Sequence, residues 1–169
     1  MIISRLLIFT AVLNLIVILP GFSQEYENTQ SFGRESLRSL DGVVVKVVTS
    51  RTADREGISR RYIRSNTELQ LRKAGVEVYG EGNLPENGPQ PELVIDVSVL
   101  SNDKIAIYNL RLKLYQYVKT VGEGKVIRSI TYSTPGRIGA GAPSGLGSLN
   151  KEAEQEVKIF INDWLATHN

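Results

Sequence analysis

Residues 105–121 (IAIYNLRLKLYQYVKTV) constrain the fold more than any other part of the chain. Apolar residues alternate along this stretch with charged and aromatic ones. Because successive side chains of a β-strand point to opposite faces of the sheet, the pattern predicts one long strand with an apolar face and a basic-aromatic face. The apolar parity contains Tyr108, Leu110, Leu112, Leu114 and Val118, and the other parity contains Arg111, Lys113, Tyr115, Tyr117 and Lys119.

A sheet with a single apolar face needs a second layer to cover it, and two segments have the helical periodicity for this role. The C-terminal segment, Leu149–His168, carries an apolar stripe of Leu149, Ala153, Val157, Phe160, Ile161, Trp164 and Leu165. Residues 58–74 also predict a helix. A helical wheel leaves Leu71 outside the apolar stripe and places Ile63 and Ala74 at its margin. The stripe itself consists of Ile58, Tyr62, Asn66 and Leu69.

Runs of β-branched residues between turn residues predict the remaining strands, at residues 42–49, 76–79, 93–100 and 125–133. Tight turns should join the last three strands of the sheet into an antiparallel meander. We therefore predict an α+β fold in the order β-α-β-β-β-β-α. It consists of one mainly antiparallel sheet of four to five strands with two helices packed on one face.

The first residues of the chain have the layout of a secretory signal peptide. One basic residue, Arg5, precedes an apolar run at residues 6–19, and the small residues Gly21 and Ser23 suit cleavage before Gln24. The apolar run is short for a membrane-spanning helix, which needs about 20 residues, although an uncleaved anchor is the alternative.

These features predict three regions. Residues 1–23 are the signal peptide, residues 24–39 a polar and flexible N-terminal arm, and residues 40–169 a single α+β domain. We expect an exported protein of the periplasm or the extracellular space, with no transmembrane helix after the signal peptide is cleaved.

Composition excludes several kinds of chemistry. The chain has no cysteine, so disulfides, thiolate metal sites, cysteine nucleophiles and a lipoprotein anchor are excluded. Its single histidine, His168, is next to the last residue, where a metal site or a catalytic triad is not expected. The net charge of +2 gives no long-range attraction for nucleic acid. We therefore predict no metal, no cofactor and no nucleic-acid partner.

The basic-aromatic parity of the long strand is the candidate ligand face. Tyrosine rings interleaved with cations suit anionic glycans or lipid headgroups. The alternative is an ordinary solvated sheet face, because alternation alone produces such a row. The same two interpretations, an anionic partner or a solvated surface, apply to the arginines of the first helix, Arg60, Arg61, Arg64 and Arg72.

Residues 134–148 (TPGRIGAGAPSGLGS) form a glycine-rich segment between a strand and a helix, where phosphate-binding loops occur. The spacing of its glycines does not match the dinucleotide motif, and no Gly-Lys-Ser/Thr follows. The segment is interpreted as a flexible connection or as a loop that binds a partner. The candidate contact residues in it are Arg137, Ile138 and Leu146.

Catalysis is not expected from the acidic residues. Asp96, the one acid inside a strongly predicted strand, has no second acid on a neighbouring strand of the kind a glycosidase requires. No residue motif points to a named family. We expect a non-enzymatic accessory protein that contacts another envelope protein through the glycine-rich segment or through an edge of the sheet. The alternative is a binding module for an anionic glycan or lipid headgroup that uses the basic-aromatic face.

Overall fold

The computed structural model describes residues 33–80 and 90–168, and the predicted signal peptide lies outside them. A helical segment at residues 33–35 comes first. The elements that follow are β1 (Gly42–Thr49), α1 (Arg51–Arg55), α2 (Arg60–Lys73), β2 (Glu77–Val78), β3 (Glu92–Ser101), β4 (Ala106–Lys119), β5 (Val126–Ser133), β6 (Arg137–Gly141), a 3-10 helix (Pro143–Ser148) and α3 (Leu149–His168).

The strands form one mixed sheet in the order β2-β1-β3-β4-β5, with β6 also paired to β4. β1 is parallel to both of its neighbours, whereas β3, β5 and β6 are all antiparallel to β4. The predicted α+β class, the mostly antiparallel sheet and the β3-β4-β5 meander are confirmed. The predicted counts are wrong, because the described residues contain six strands and also the short helix α1 and a 3-10 helix.

The long strand β4 has two successive partners on the same edge. β5 pairs with its second half and β6 with its first half, opposite Ala106 to Leu110. Thr134 lies between β5 and β6 and is also bonded to β4, because its hydroxyl oxygen accepts a hydrogen bond from the Leu112 N–H at 3.2 Å. Residues 137–141 therefore form a strand where the sequence predicted a flexible connection. Gly139 permits this pairing, since a Cβ there would lie 2.5 Å from the Tyr108 ring.

The core lies between the sheet and the two long helices. Leu110, Leu112 and Leu114 of β4 are all completely buried. The predicted stripe of α3 is confirmed, with its residues buried in or packed against the same cluster. The Trp164 indole N–H also donates a hydrogen bond to the Leu40 carbonyl at 2.9 Å, which satisfies the one polar group of this buried side chain.

The predicted buried face of the first helix is wrong. α2 buries Ile63, Thr67 and Leu71, whereas Tyr62 and Leu69 are about half exposed. The helix begins at Arg60 because the Ser59 hydroxyl caps it by accepting the Tyr62 N–H at 3.2 Å. Ile58 is also buried, but it lies in the loop before the N-cap, so its burial does not show which face of α2 is buried.

The described end of the predicted N-terminal arm is packed rather than flexible. Leu37 is fully buried in the core cluster, and Leu40 is 1% exposed. The two leucines are spaced three residues apart in a chain of turns, with the Leu40 N–H bonded to the Leu37 carbonyl at 3.0 Å. The domain therefore includes residues 33–39, and the rest of the predicted arm lies outside the described residues.

Candidate functional site

The sheet has a covered face and an open face. The buried residues of the helices cluster with the odd-numbered valines of β1 and with Leu93, Ile95 and Val97 of β3. The alternate residues of the strands point the other way and form what we call the open face. In the described residues, the long helices pack on the covered side only, so ligands or partners have access to the open face.

Three cross-strand rows organise the open face around β3 and β4. The register places Lys46, Val94 and Lys113 side by side, with Val44, Glu92 and Tyr115 in the row on one side and Val48, Asp96 and Arg111 in the row on the other. Val44 and Val94 are only 7% and 8% exposed among these longer neighbours. The open face is thus a surface of charged and aromatic side chains that surrounds a small apolar centre.

Ion pairs tie these rows together. Glu92 of β3 accepts hydrogen bonds from Lys46 of β1 and from Arg128 of β5, whose Nε lies 3.1 Å from Glu92 Oε2. Burial opposes ionisation of Glu92, but the hydrogen bonds from the two cations outweigh it and lower the pKa of the carboxyl. Lys113 reaches Asp96 at 3.2 Å. Asp96 is therefore part of an ion pair with a cation of the basic-aromatic row.

The predicted ligand residues all lie on the open face, since they share one parity of β4. The β4–β5 register has an irregularity at Leu114 and Tyr115, and the row continues past it with Tyr117 opposite Arg128. The Arg128 guanidinium lies 3.7 Å from the centroid of the Tyr115 ring, a cation–π contact. In the described part of the chain, no ion pair is formed by the two remaining cations of the row, Arg111 and Lys119.

An apolar corner occupies the end of the open face near the β3–β4 hairpin. It consists of Leu100, Ile107 and Ile138, which are 75%, 47% and 76% exposed. Leu100 pairs directly with Ile107, and Ile138 pairs with Asn109, the next residue of β4 on this face. Three large apolar side chains on adjacent strands are thus exposed together at this end of the open face.

The three candidate residues of the glycine-rich segment do not form one surface. Ile138 belongs to the apolar corner, whereas Leu146 is 5% exposed within the core. Arg137 points to the covered side, where its guanidinium binds Glu152 at 3.1 Å and Glu156 at 3.0 Å. Of the three, Ile138 is thus the one available to a partner.

A polar cluster under β5 and β6 was missed by the sequence reasoning. Glu156 of α3 is 1% exposed, and its second carboxylate oxygen has no hydrogen-bond partner among the described residues. Nearby, the Tyr132 hydroxyl donates to Asp163 at 2.7 Å, and Arg34 binds the same carboxylate at 2.8 Å. Burial and the Asp163 carboxylate raise the pKa of Tyr132 far above its usual value. The available signal was a glutamate within the apolar stripe of a predicted helix.

Two further properties concern chemistry and membranes. In residues 33–80 and 90–168, no group of three or more histidine, aspartate or glutamate side chains is arranged to hold a metal ion. The His168 ring stacks on Trp164 with the centroids 4.2 Å apart. No helix within the same ranges is long and apolar enough to span a membrane.

Comparisons with known proteins give no family. No protein-family model and no curated protein matches the chain. A solved structure titled "Crystal structure of uncharacterized protein" is similar over 73% of this chain and 92% of that chain, with 12% sequence identity and a TM-score of 0.40. A likeness at that level carries no argument about function, so the proposals below depend on the molecule's own surfaces.

Proposed function

We propose that this protein is an exported, non-enzymatic accessory protein of the cell envelope that acts by binding another protein through the open face of its sheet. The observation that carries this proposal is the apolar corner formed by Leu100, Ile107 and Ile138. Exposed apolar side chains flanked by cations resemble the anatomy of protein interfaces, which combine an apolar centre with a polar rim. Arg111, which makes no ion pair in the described residues, lies two positions beyond Asn109 on the same strand face.

The non-enzymatic part of the proposal comes from the distribution of reactive groups. The chain has no cysteine, and its one histidine is at the C-terminal end. On the open face, Glu92 and Asp96 are each bound to a cation, so both carboxylates are held in ion pairs across the strands. A general acid or base needs a cleft in which a substrate is held within hydrogen-bond reach.

Affinity capture from envelope extracts tests the proposal. The immobilised protein is compared with a corner variant carrying Leu100→Ser, Ile107→Ser and Ile138→Ser. The matched control changes three exposed apolar residues outside the corner, Leu69→Ser, Val121→Ser and Val126→Ser. The wild type and the control should retain the same partner in stoichiometric amount, and the corner variant should lose it. Retention of that partner by the corner variant would contradict the proposal.

Export has its own test. The full-length chain is produced in a bacterial host and its N-terminus is sequenced after fractionation. We expect a periplasmic or secreted form that begins near Gln24, as the signal-peptide pattern predicts. Full-length chain confined to the cytoplasm would contradict export without bearing on the interface.

A second candidate function is binding of an anionic glycan or lipid headgroup by the basic-aromatic row. It is favoured by the Arg128–Tyr115 stack, by the exposed Tyr117 ring and by Arg111 and Lys119, which form no ion pair with any described residue. The variant Lys113→Ala, Tyr115→Ala, Tyr117→Ala should then lose retention on an anionic polysaccharide or on phosphatidylglycerol vesicles, while the corner variant keeps it. Equal retention of both variants would remove this candidate.

A further inference from the structure

Part of one edge of β1 is not paired with any described strand. On one side it pairs with β3 from Val44 to Thr49. On its other side β2 reaches only Gly42 and Val43, and the last contact there is the Tyr79 N–H bonded to the Val43 carbonyl at 2.9 Å. Within the described residues, no strand continues along this edge beyond that point.

The backbone of β1 presents hydrogen-bonding groups to this edge. The Val44 N–H donates to the Pro91 carbonyl, on the β3 side. Because the N–H and C=O of one residue point to the same side and successive residues alternate, Val45, Val47 and Thr49 direct their backbone groups to the edge away from β3. Val45 is completely buried, whereas Val47 and Thr49 are partly exposed, so these two residues offer donors and acceptors in the geometry of a strand ladder.

A basic cleft of about 410 Å³ lies beside the same stretch of β1. Its described lining is Lys46, Val47, Val48, Arg60, Arg61 and Arg64. Every charged residue in that lining is a cation. The carboxylates that pair with some of them are not in the lining: Asp54 pairs with Arg60, and Glu92 with Lys46. The Arg60–Asp54 salt bridge is exposed and therefore weak, so a competing carboxylate can replace Asp54.

We propose that this cleft binds an extended acidic segment of a partner protein, which adds to β1 as a further strand of the sheet. The regularly spaced donors and acceptors of Val47 and Thr49 match a peptide backbone, which a sugar, a lipid headgroup or free phosphate does not supply. Val47 and Val48, which line the cleft, give the added strand an apolar surface. The surrounding cations select acidic side chains, since opposite charges on neighbouring strands attract.

This surface is separate from the apolar corner used in the proposed function. The corner is on β3, β4 and β6 of the open face, whereas the cleft lies between the far edge of β1 and α2. The corner variant should therefore bind an acidic peptide as the wild type does. Failure of one proposal leaves the other to be decided by its own experiment.

The test uses fluorescence anisotropy with the purified protein and a short dye-labelled peptide that alternates glutamate with valine. Two control peptides carry lysine in place of glutamate, or N-methyl groups on the backbone amides of alternate residues. The glutamate peptide should bind, and both controls should bind at least about tenfold more weakly, because one loses charge complementarity and the other loses the ladder hydrogen bonds.

Two variants of the protein locate the binding. Arg61→Glu reverses a charge in the cleft lining and should weaken binding of the glutamate peptide about tenfold. Lys73→Glu is the matched control, since it makes the same change of net charge on the same helix outside that lining. Val47→Pro removes an N–H that faces the unpaired edge, a position where proline is tolerated, and should abolish binding. Circular dichroism confirms that each variant is folded.

Three results would overturn the proposal. The first is no detectable binding of the glutamate peptide. The second is equal binding of the N-methylated peptide, which would mean that no strand is added. The third is an equal loss in Arg61→Glu and Lys73→Glu, which would assign any binding to the overall charge of the protein instead of to the cleft.

Discussion

On one face of β4, Leu110, Leu112 and Leu114 are completely buried beneath the helices, and on the other face Arg111 and Lys113 lie between them and reach the surface. From Ala106 to Leu114, every second residue of this strand belongs to the core or packs against it, and the residues between them belong to a surface that the long helices leave uncovered. The comparison teaches that stability and binding can be changed almost independently in this domain, because the alternation of the strand separates them residue by residue.

Ion pairs on the two sides of the sheet show the same contrast. Arg137 binds Glu156 on the covered side, where the glutamate is almost completely buried. Lys113 binds Asp96 on the open face, where both side chains remain partly exposed. A buried carboxylate that loses its partner stays desolvated, whereas an exposed one is solvated by water. Loss of the Arg137–Glu156 pair should therefore cost more free energy of unfolding than loss of the Lys113–Asp96 pair.

The largest expected effect is on the covered side, at Trp164. Replacement of Trp164 by alanine should lower the free energy of unfolding by about 3–5 kcal/mol, because it empties a core position and removes the bond to the Leu40 carbonyl. Urea unfolding measures this change. Val121→Ala, at a fully exposed residue, is the control and should stay within about 0.5 kcal/mol of the wild type. Similar losses in both variants would contradict the described packing of α3.

The second effect tests the buried ion pair. Arg137→Ala should cost about 2–3 kcal/mol, somewhat less than the 3–5 kcal/mol typical of a fully buried pair, because Arg137 itself is partly exposed. Adding Glu156→Leu to this variant should restore much of the loss, since no buried charge then remains unpaired. The free energies of unfolding of the single and the double variant show whether the unpaired charge of Glu156 causes the loss. No recovery in the double variant would mean that Arg137 acts by packing.

The third effect, on the open face, depends on pH. The folded-state pKa of Glu92 is lowered, so its ionised form stabilises the protein above the unfolded-state pKa of about 4.3, and this contribution is lost as pH falls through the folded-state pKa. The difference in unfolding free energy between the wild type and Glu92→Gln should therefore be present at pH 7 and shrink below pH ~4. A difference that does not change with pH would contradict the ionic role of Glu92.

The smallest effect is expected at Lys113, also on the open face. Lys113→Ala should change the free energy of unfolding by no more than about 1 kcal/mol, because its pair with Asp96 is partly exposed. Thermal unfolding at low and at high salt measures this contribution and its screening. A loss comparable to that of Arg137→Ala would remove the contrast between the two faces.

The sequence predicted those elements whose periodicity is undisturbed. β4 alternates regularly from Tyr108 to Tyr115, and α3 repeats its apolar residues at helical spacing, so both could be predicted from the sequence. The face of α2 could not, because its buried stripe has Thr67 at its centre and because exposed Tyr62 and Leu69 mimic a second stripe. Which face of α2 is buried depends on its packing against the sheet and α3, and the residue pattern of α2 alone does not indicate that face.

The candidate site was predicted in part for similar reasons. The basic-aromatic row follows from the alternation of one strand and lies on one face, whereas the apolar corner needs three strands in register. Its third member, Ile138, is in a strand that glycine content concealed. Glu156 was overlooked because its partner, Arg137, comes from that same strand, and the cleft beside β1 exists only once α2 has packed.

Cysteine labelling at Ile107 tests most directly the claim that one face of the sheet is reserved for a partner. The chain has no cysteine, so Ile107→Cys introduces a single thiol in the apolar corner. We predict fast reaction with a maleimide in the purified protein and reaction at least about tenfold slower in the envelope fraction of the producing cells, where a partner covers the corner. Equally fast labelling in both preparations would contradict the account.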